Sequence, residues 1–320
     1  MGEVRVAVIG ARYADLEIEQ RILGPKGAQL VRGDGADRDS ILRDAGDAAI
    51  ILTGSAPSFD RPLLERLTCR GIVRYGVGVD RVDLDAAAST GKWVAFVPDY
   101  GTDAVATHTV ALILGGARRL PQADLAVKTG RWQWSGLRPM HELSTLTVGI
   151  VGFGRIGRRV SEMLVPFGPR LVAHDILSEV GGPGVERVSF ERLLEESDIV
   201  TLHLPGAADG SPLLARSELD GMKEGSMLVN TARGSLVDQE ALLKGLIAGT
   251  PAYAALDVFE QEPVEAVFEA VSDRVLLTPH MAWYTEESER DLRTKASLEA
   301  VRLLEGKAPL NVVARPRSEP

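Results

Sequence analysis

Two α/β domains, each a doubly wound parallel sheet, are the fold class this sequence predicts, and three observations carry that reading. Short apolar runs alternate with helix-like segments almost from end to end, the pattern of parallel strands covered on both faces by helices. The 320-residue chain is too long for one small domain and comfortable for two. The alternation also pauses once, in the polar and aromatic stretch "PQADLAVKTGRWQWSGLRPMHELS", and then restarts.

The first series of strands is "VRVAVIG" (4–10), "AQLV" (28–31), "AAIILTG" (48–54), "GIVRYG" (71–76) and "WVAFVP" (93–98), each bounded by Gly, Pro or a charge. Helix-like patterning lies between them, for instance Leu63, Leu64 and Leu67 ahead of Gly71. A longer helix is expected from about Thr102 to Arg119, followed by the irregular connection. The second series is "TVGIVG", "RLVAHD", "IVTLHLP", "SMLVNTA", "AYAALDV" and "VLLTPH", and it contains every strong motif. An amphipathic helix ends the pattern, with Leu292, Ala296, Ala300, Leu303 and Leu304 on one stripe and Gly306 beyond it.

Composition narrows the function classes. The net charge of −9 argues against nucleic acid or an anionic membrane as partner, since both reward clustered Lys and Arg. One cysteine, Cys69, leaves no internal disulfide and suits a reducing compartment; a buried small hydrophobe is its expected role. The N-terminal "MGEVRVAVIGARYADLE" reads as a first strand rather than a secretory signal, and no window approaches the ~18 uninterrupted apolar residues of a membrane span. A cytoplasmic, soluble protein is expected.

"VGIVGFGRIG" places Gly152, Gly154 and Gly157 directly after a strand and at the opening of a helix. The first glycine permits the tight turn, the second lets backbone approach a pyrophosphate, and the third allows close helix–strand packing. The helix N-terminus then offers free N–H groups to the anion. Such a motif is weak alone. Here the next strand ends in Asp175, 23 residues beyond Gly152 (175 − 152), where a carboxylate accepts the ribose hydroxyls and repels a 2′-phosphate. No arginine immediately follows it, so NAD is expected over NADP. The N-terminal "VIGARYAD" has no further glycines after Gly10 and is a decoy.

Three strand ends carry unusual polar groups. Arg233 follows an apolar strand in "LVNTARGSLVD"; Asp257, Glu260 and Glu262 crowd "AALDVFEQEP"; His280 ends "VLLTPHMAW". Ligands of open parallel sheets bind beyond the carboxyl ends of strands, so all three can converge beside a nicotinamide. Hydride transfer at a carbon bearing oxygen needs a group that gives or takes the hydroxyl proton and a cation for an anionic substrate. Histidine titrates near neutrality, and arginine offers a rigid charged fork to carboxylates. Singly, each residue has a bland reading as surface, turn or core. Together, beyond one NAD site, they point to chemistry, although the residues alone do not choose among Glu262, Asp257 and Glu260.

From "RYGVGVDRVDLDAAASTG" (74–91) through "GFGRIG", "NTARGSLVD" and "DVFEQEP" to "TPHMAW", about two-thirds of the chain, the sequence resembles the D-isomer-specific 2-hydroxyacid dehydrogenases. The resemblance implies His280 as general acid/base, Glu262 as its carboxylate partner and Arg233 as the substrate-orienting cation. It implies an NAD site of Gly152, Gly154, Arg155, Ile156 and Gly157 with Asp175, joined by Pro205, Thr231, Ala232 and His280, and by Asp257 at the nicotinamide carboxamide. Backbone N–H groups of Val77 and Gly78 would cradle the substrate carboxylate as an anion nest. Trp283 and Arg74 are similar to the C-terminal-binding-protein branch, where the tryptophan borders the substrate side chain and the arginine reaches its carboxylate. A 2-keto acid with some apolar side chain is therefore expected.

The same resemblance implies a Rossmann NAD domain (99–283) inserted into a flavodoxin-like substrate domain (1–98 plus 284–320), with hinges near Pro98 and Tyr284 and homodimerisation through the cofactor domain. The chain also departs from the family pattern. Thr107 stands where a carboxylate is usual, and "LPGAADGS" (204–211) lacks the usual threonines after its proline. The regulatory extension of longer phosphoglycerate dehydrogenases is missing, so serine feedback through such a domain is not expected. Two other readings keep the fold: a non-enzymatic NAD-sensing module, and oxidation of another small anion such as phosphite. An intact Arg233, Glu262 and His280 favours the dehydrogenase, because a pure sensor needs no acid–base pair. Formate oxidation is disfavoured by Glu262 itself, and a short-chain reductase by the absence of Tyr-x-x-x-Lys. No metal is expected.

Overall fold

A computed structural model describes residues 4–11, 13–176, 182–207 and 209–317; Ala208, inside the 204–211 loop, lies outside them. The chain divides into two compact units, one of Met1–Gly101 with Thr285–Pro320 and one of Thr102–Tyr284. The first begins β1 (Val4–Ile9), α1 (Glu17–Leu23), β2 (Ala28–Gly33), α2 (Arg38–Ala45), β3 (Ile50–Thr53), α3 (Arg61–Leu64), β4 (Gly71–Arg74), α4 (Leu84–Ser89) and β5 (Trp93–Ala95). The second holds α5 (Thr102–Ala117), α6 (Leu120–Lys128), β6 (Thr147–Val151), α7 (Arg155–Leu164), β7 (Arg170–His174), β8 (Val185–Arg187) and α8 (Phe190–Glu196). It continues with β9 (Ile199–Leu202), α9 (Arg216–Asp220), β10 (Met227–Asn230), α10 (Gln239–Ala248), β11 (Tyr253–Leu256) and β12 (Val275–Leu277). The chain then returns to the first unit with α11 (Glu286–Leu304) and β13 (Val312–Ala314).

The first sheet runs β13-β5-β4-β3-β1-β2, parallel except for β13, which pairs antiparallel with β5. Its central strands are apolar on both faces: Val6, Ala7, Val8 and Ile9 are all fully buried, as a sheet covered on both sides demands. Side-chain caps set the helix starts. Asp37 and Ser40 form a reciprocal capping box on α2, Thr285 and Ser288 another on α11, and Asp83 caps α4. Leu292, Ala296, Ala300 and Leu303 of α11 are buried as the stripe requires. Cys69 is buried too, and burial pushes its thiol up to about 11, which leaves it an inert core residue.

The second sheet is wholly parallel, in the order β12-β11-β10-β9-β6-β7-β8. The order reverses between β6 and β9, the switch point at which doubly wound sheets bind ligands. One face packs Val148, Val229 and Ala255 with Ile113, Val160 and Leu164 of α5 and α7, and the other packs Val172, Val200 and Leu228 with Leu193, Leu242 and Leu246 of α8 and α10.

Three sequence expectations change. The helix expected to reach Arg119 stops at Ala117; Arg119 turns left-handed (φ 50°), and α6 follows with Pro121 in its first turn. No residue of α6 is buried, so its apolar side chains, Leu120, Leu125 and Val127 among them, cover no part of the core of their unit. Strands β8 and β13, three residues each, are too short to show alternation. With β13 the first sheet gains an antiparallel edge that the parallel reading lacked.

Candidate active site

The glycine loop joins β6 to α7. Gly152 has φ 90°, and a Cβ there would sit 2.6 Å from the His203 carbonyl oxygen. A Cβ on Gly157 would sit 2.1 Å from the Gly152 oxygen, so helix and loop meet backbone to backbone. At Gly154, by contrast, a Cβ would meet nothing within 4 Å. This residue is the N-cap of α7, makes no side-chain cap bond, and has no acidic residue in the turn that follows. An open face at a helix start lined by backbone N–H groups fits the pyrophosphate of a dinucleotide. Asp175, just past β7, accepts a hydrogen bond from the Phe153 N–H at 2.7 Å, which ties this carboxylate to the same loop. Arg155 and Ile156 form the first turn of α7, and Pro205 is exposed beyond β9. The residues present thus fit NAD.

Beyond β10, Thr231, Ala232 and Arg233 form a turn clasped by the buried Asn230 side chain. Its Nδ2 donates to the Arg233 carbonyl (2.8 Å), and its Oδ1 accepts from the Ala232 N–H (3.0 Å). The Arg233 guanidinium donates to the Ala232 carbonyl at 2.7 Å. Gly234 follows because nothing larger fits: a Cβ there would lie 1.9 Å from the Phe259 oxygen and 2.6 Å from the Glu260 nitrogen. The arginine turn is thereby pressed against the loop that leads to Glu262.

Beyond β11, Glu262 accepts from the Phe259 N–H through Oε1 (3.1 Å), and its Oε2 lies 2.7 Å from His280 Nδ1. A carboxylate only accepts, so Nδ1 carries the proton and Nε2 points away from Glu262. Burial works to raise the Glu262 carboxyl. The hydrogen bond and charge of His280, the Phe259 N–H and Arg233 outweigh it and hold the group below its ordinary value. Both side chains stay partly open to solvent.

Beyond β12, His280 has φ 52°, a left-handed backbone rare for a residue with a side chain. Asp257 holds it there. The His280 N–H bonds the Asp257 carbonyl (2.9 Å), while the Asp257 carboxylate accepts from Thr278 Oγ1 (2.6 Å), Met281 N–H (2.9 Å) and Ala282 N–H (2.9 Å). At 1% exposure, the carboxylate that the resemblance assigned to a carboxamide also forms the frame of the histidine turn. Trp283 is half-buried, edge-on to Tyr284 with ring centroids 5.6 Å apart.

Sequence reasoning missed Asn230, Thr278 and two residues of α5. Thr109 Oγ1 bonds Thr231 Oγ1 (2.8 Å), and His108 Nε2 bonds Thr278 Oγ1 (3.1 Å). Polar residues inside the apolar helix "AVATHTVALIL" were the available signal. Thr107 turns elsewhere, its hydroxyl 4.0 Å from Met163 Sδ of α7.

In the first unit, Arg74 ends β4, and Gly76 (φ 131°) begins a bend that leaves Val77 exposed. The intervening Tyr75 is anchored below: its hydroxyl donates to Glu19 (3.0 Å), a buried carboxylate that also receives the Arg293 fork at 2.8 and 3.0 Å. Among the described residues no group of His, Cys, Asp or Glu is arranged to hold a metal, and no helix is long and apolar enough to cross a membrane.

Residues 110–282 match the family model of the D-isomer specific 2-hydroxyacid dehydrogenase NAD binding domain. A glyoxylate reductase of Aeropyrum pernix is 38% identical over 292 residues, 87% of this chain and 86% of that protein. A D-3-phosphoglycerate dehydrogenase of Archaeoglobus fulgidus is 33% identical over 291 residues, and there the chain spans only 55% of the relative's length. The crystal structure of a D-lactate dehydrogenase from Aquifex aeolicus, complexed with NAD and lactic acid, superposes with a TM-score of 0.86 at 27% identity, covering 98% of this chain and 100% of that one. By these matches the chain, an NAD-dependent oxidoreductase, belongs to the D-isomer-specific 2-hydroxyacid dehydrogenase family.

Proposed function

We propose that this protein interconverts a short 2-keto acid and its D-2-hydroxy acid, with His280 as proton donor and acceptor. The observation that carries the reading is the 2.7 Å contact between His280 Nδ1 and Glu262 Oε2 on neighbouring strand-end loops, beside the Arg233 turn. NADH, when bound along Gly152–Gly157 and Asp175, supplies the hydride to the keto carbon. Arg233 holds the anionic substrate and polarises its carbonyl. Glu262 orients the imidazole so that Nε2–H is delivered to the carbonyl oxygen as it gains charge; in the oxidative direction Nε2 takes that proton back. Arg74 with the N–H groups of Val77 and Gly78 binds the substrate carboxylate, and Trp283 borders its side chain. The first unit is the substrate-binding domain and the second the cofactor domain.

Changing His280 to Ala is expected to lower turnover of glyoxylate or pyruvate with NADH by about 10²–10⁴ while NADH binding by fluorescence persists. Near-wild-type turnover in that variant would remove the mechanism. The working form in this reading is a cytoplasmic homodimer joined through the cofactor domain. Supporting it, α6 and the segment after it carry Leu120, Leu125, Val127, Trp132 and Trp134, all exposed, with Trp132 at 87%. A monomer by sedimentation would count against it.

A further inference from the structure

We infer that His108 is a positioning residue for the His280 turn, acting through Thr278 and Asp257; the inference rests on the acid–base role proposed above. Helix α5 is apolar along most of its length, with eight buried residues, yet three consecutive polar residues, Thr107, His108 and Thr109, break it, and the last two face the strand-end loops. Each of these two reaches a different loop. Thr109 bonds Thr231, two residues before Arg233, and His108 bonds Thr278, two residues before His280. One turn of one helix thus ties down two of the three loops that carry the proposed chemistry, those of Arg233 and His280.

The proton count gives the second link a direction. Thr278 has one hydroxyl proton and places it on Asp257 Oδ1 at 2.6 Å, so toward His108 it accepts, and His108 Nε2 carries a hydrogen. The chain is therefore Nε2–H to Oγ1–H to carboxylate, each bond polarising the next. Asp257 Oδ1 also takes the Met281 N–H, and Oδ2 takes the Ala282 N–H. Those two peptides, with Thr278 before them, bracket the left-handed His280. Within 4 Å of this buried carboxylate His108 is the one basic side chain among the described residues, at 3.6 Å. Without it, the Thr278 hydroxyl keeps its donor role but loses the donor that fixes its rotor, and the carboxylate loses one side of its clamp. The proton donor then moves relative to the substrate oxygen while the glycine loop and Asp175 stay as they are.

The test compares His108→Phe, which keeps a ring and removes the donor, with His108→Gln, which keeps an N–H close to the position of Nε2. For the Phe variant kcat with glyoxylate is expected to fall roughly tenfold, with the KM for NADH within about twofold of wild type. The primary isotope effect on kcat with NADH deuterated at the transferred position should rise, because chemistry becomes slower while the rest of the cycle is unchanged. The Gln variant should recover most of the rate. Hydrogen–deuterium exchange of the 275–283 peptide should be faster in the Phe variant than in wild type, and this readout needs no turnover. Wild-type rates in the Phe variant, a Gln variant no better than Phe, or a lower rate with an unchanged isotope effect would each overturn the inference. A wild-type protein that reduces no keto acid would sink the proposed function instead; the exchange comparison would still decide whether His108 holds the turn.

Discussion

Replacing Gly234 with Ala tests whether the arginine and glutamate loops work as one assembly. The added Cβ would lie 1.9 Å from the Phe259 carbonyl oxygen, where an ordinary contact is 3.4 Å, so the two backbones must part by about 1.5 Å. Neither neighbour is a flexible side-chain end: the clash is with the Phe259 carbonyl and the Glu260 amide. Overpacking of this kind costs about 1–3 kcal/mol of stability, which a folded protein survives. The effect on catalysis should be larger. Displacement of a reacting group by about 1 Å is enough for a 10²-fold loss, and here Arg233 separates from the loop that presents Glu262 to His280. Steady-state oxidation of NADH with saturating glyoxylate is the assay, paired with NADH fluorescence titration, which the untouched Gly152–Gly157 loop should leave nearly unchanged. A folded Gly234→Ala variant within about threefold of the wild-type kcat would refute the reasoning, since the loops would then tolerate separation.

Other consequences can be checked in the same assay. Asp175→Ala removes both the ribose-side carboxylate and the acceptor of the Phe153 N–H; NADH should bind at least about tenfold more weakly, and the NADH/NADPH preference in kcat/KM should narrow. An unchanged preference would count against Asp175 as the selector. The Glu262 carboxyl is held below its ordinary value, so its contribution is complete above that value and is lost only as pH falls through the depressed one. Glu262→Gln should accordingly lower kcat by roughly 10–100-fold throughout pH 5–8, and a defect that disappears toward pH 5 would contradict an ionised Glu262 there. Trp283→Ala should change the relative kcat/KM for pyruvate and for longer-chain keto acids by about tenfold; an unaltered ranking would remove the tryptophan from the substrate pocket.

The parts of this molecule that are local in sequence are the parts its sequence displays. Gly152, Gly154 and Gly157 sit in one turn because adjacent backbone must adopt that turn, and Asp175 follows at the spacing of a strand–helix–strand unit. His280 and Arg233 were visible as polar residues ending apolar strands. Their meeting with Glu262 was not, since it depends on β10, β11 and β12 lying side by side and on the Gly234 contact, which arise only in the folded chain. His108 and Thr278 are 170 residues apart and nothing local relates them. Asp257 stands out in the sequence as a charge, but its bonds to Met281 and Ala282 arise from a turn whose left-handed residue no periodicity reveals. Helix α6 escaped for a different reason: it buries nothing, and amphipathic patterning detects only what a core requires.

The return of α11 and β13 to the first unit has a bearing on how the chain folds as it is made. Residues 4–101 emerge first, but they lack the helix that covers one side of their sheet and supplies Arg293 to the buried Glu19, and they leave the β5 edge unpaired. Residues 102–284 form a unit with a continuous chain and cores on both faces of its sheet, and so can complete itself while the first unit waits. Synthesis therefore passes through an interval in which the earlier-made half is the less finished one, with an open strand edge exposed to mispairing. Ribosome-stalled chains long enough for residue 284 to have just left the exit tunnel should show protease protection of the second unit while the first is still sensitive.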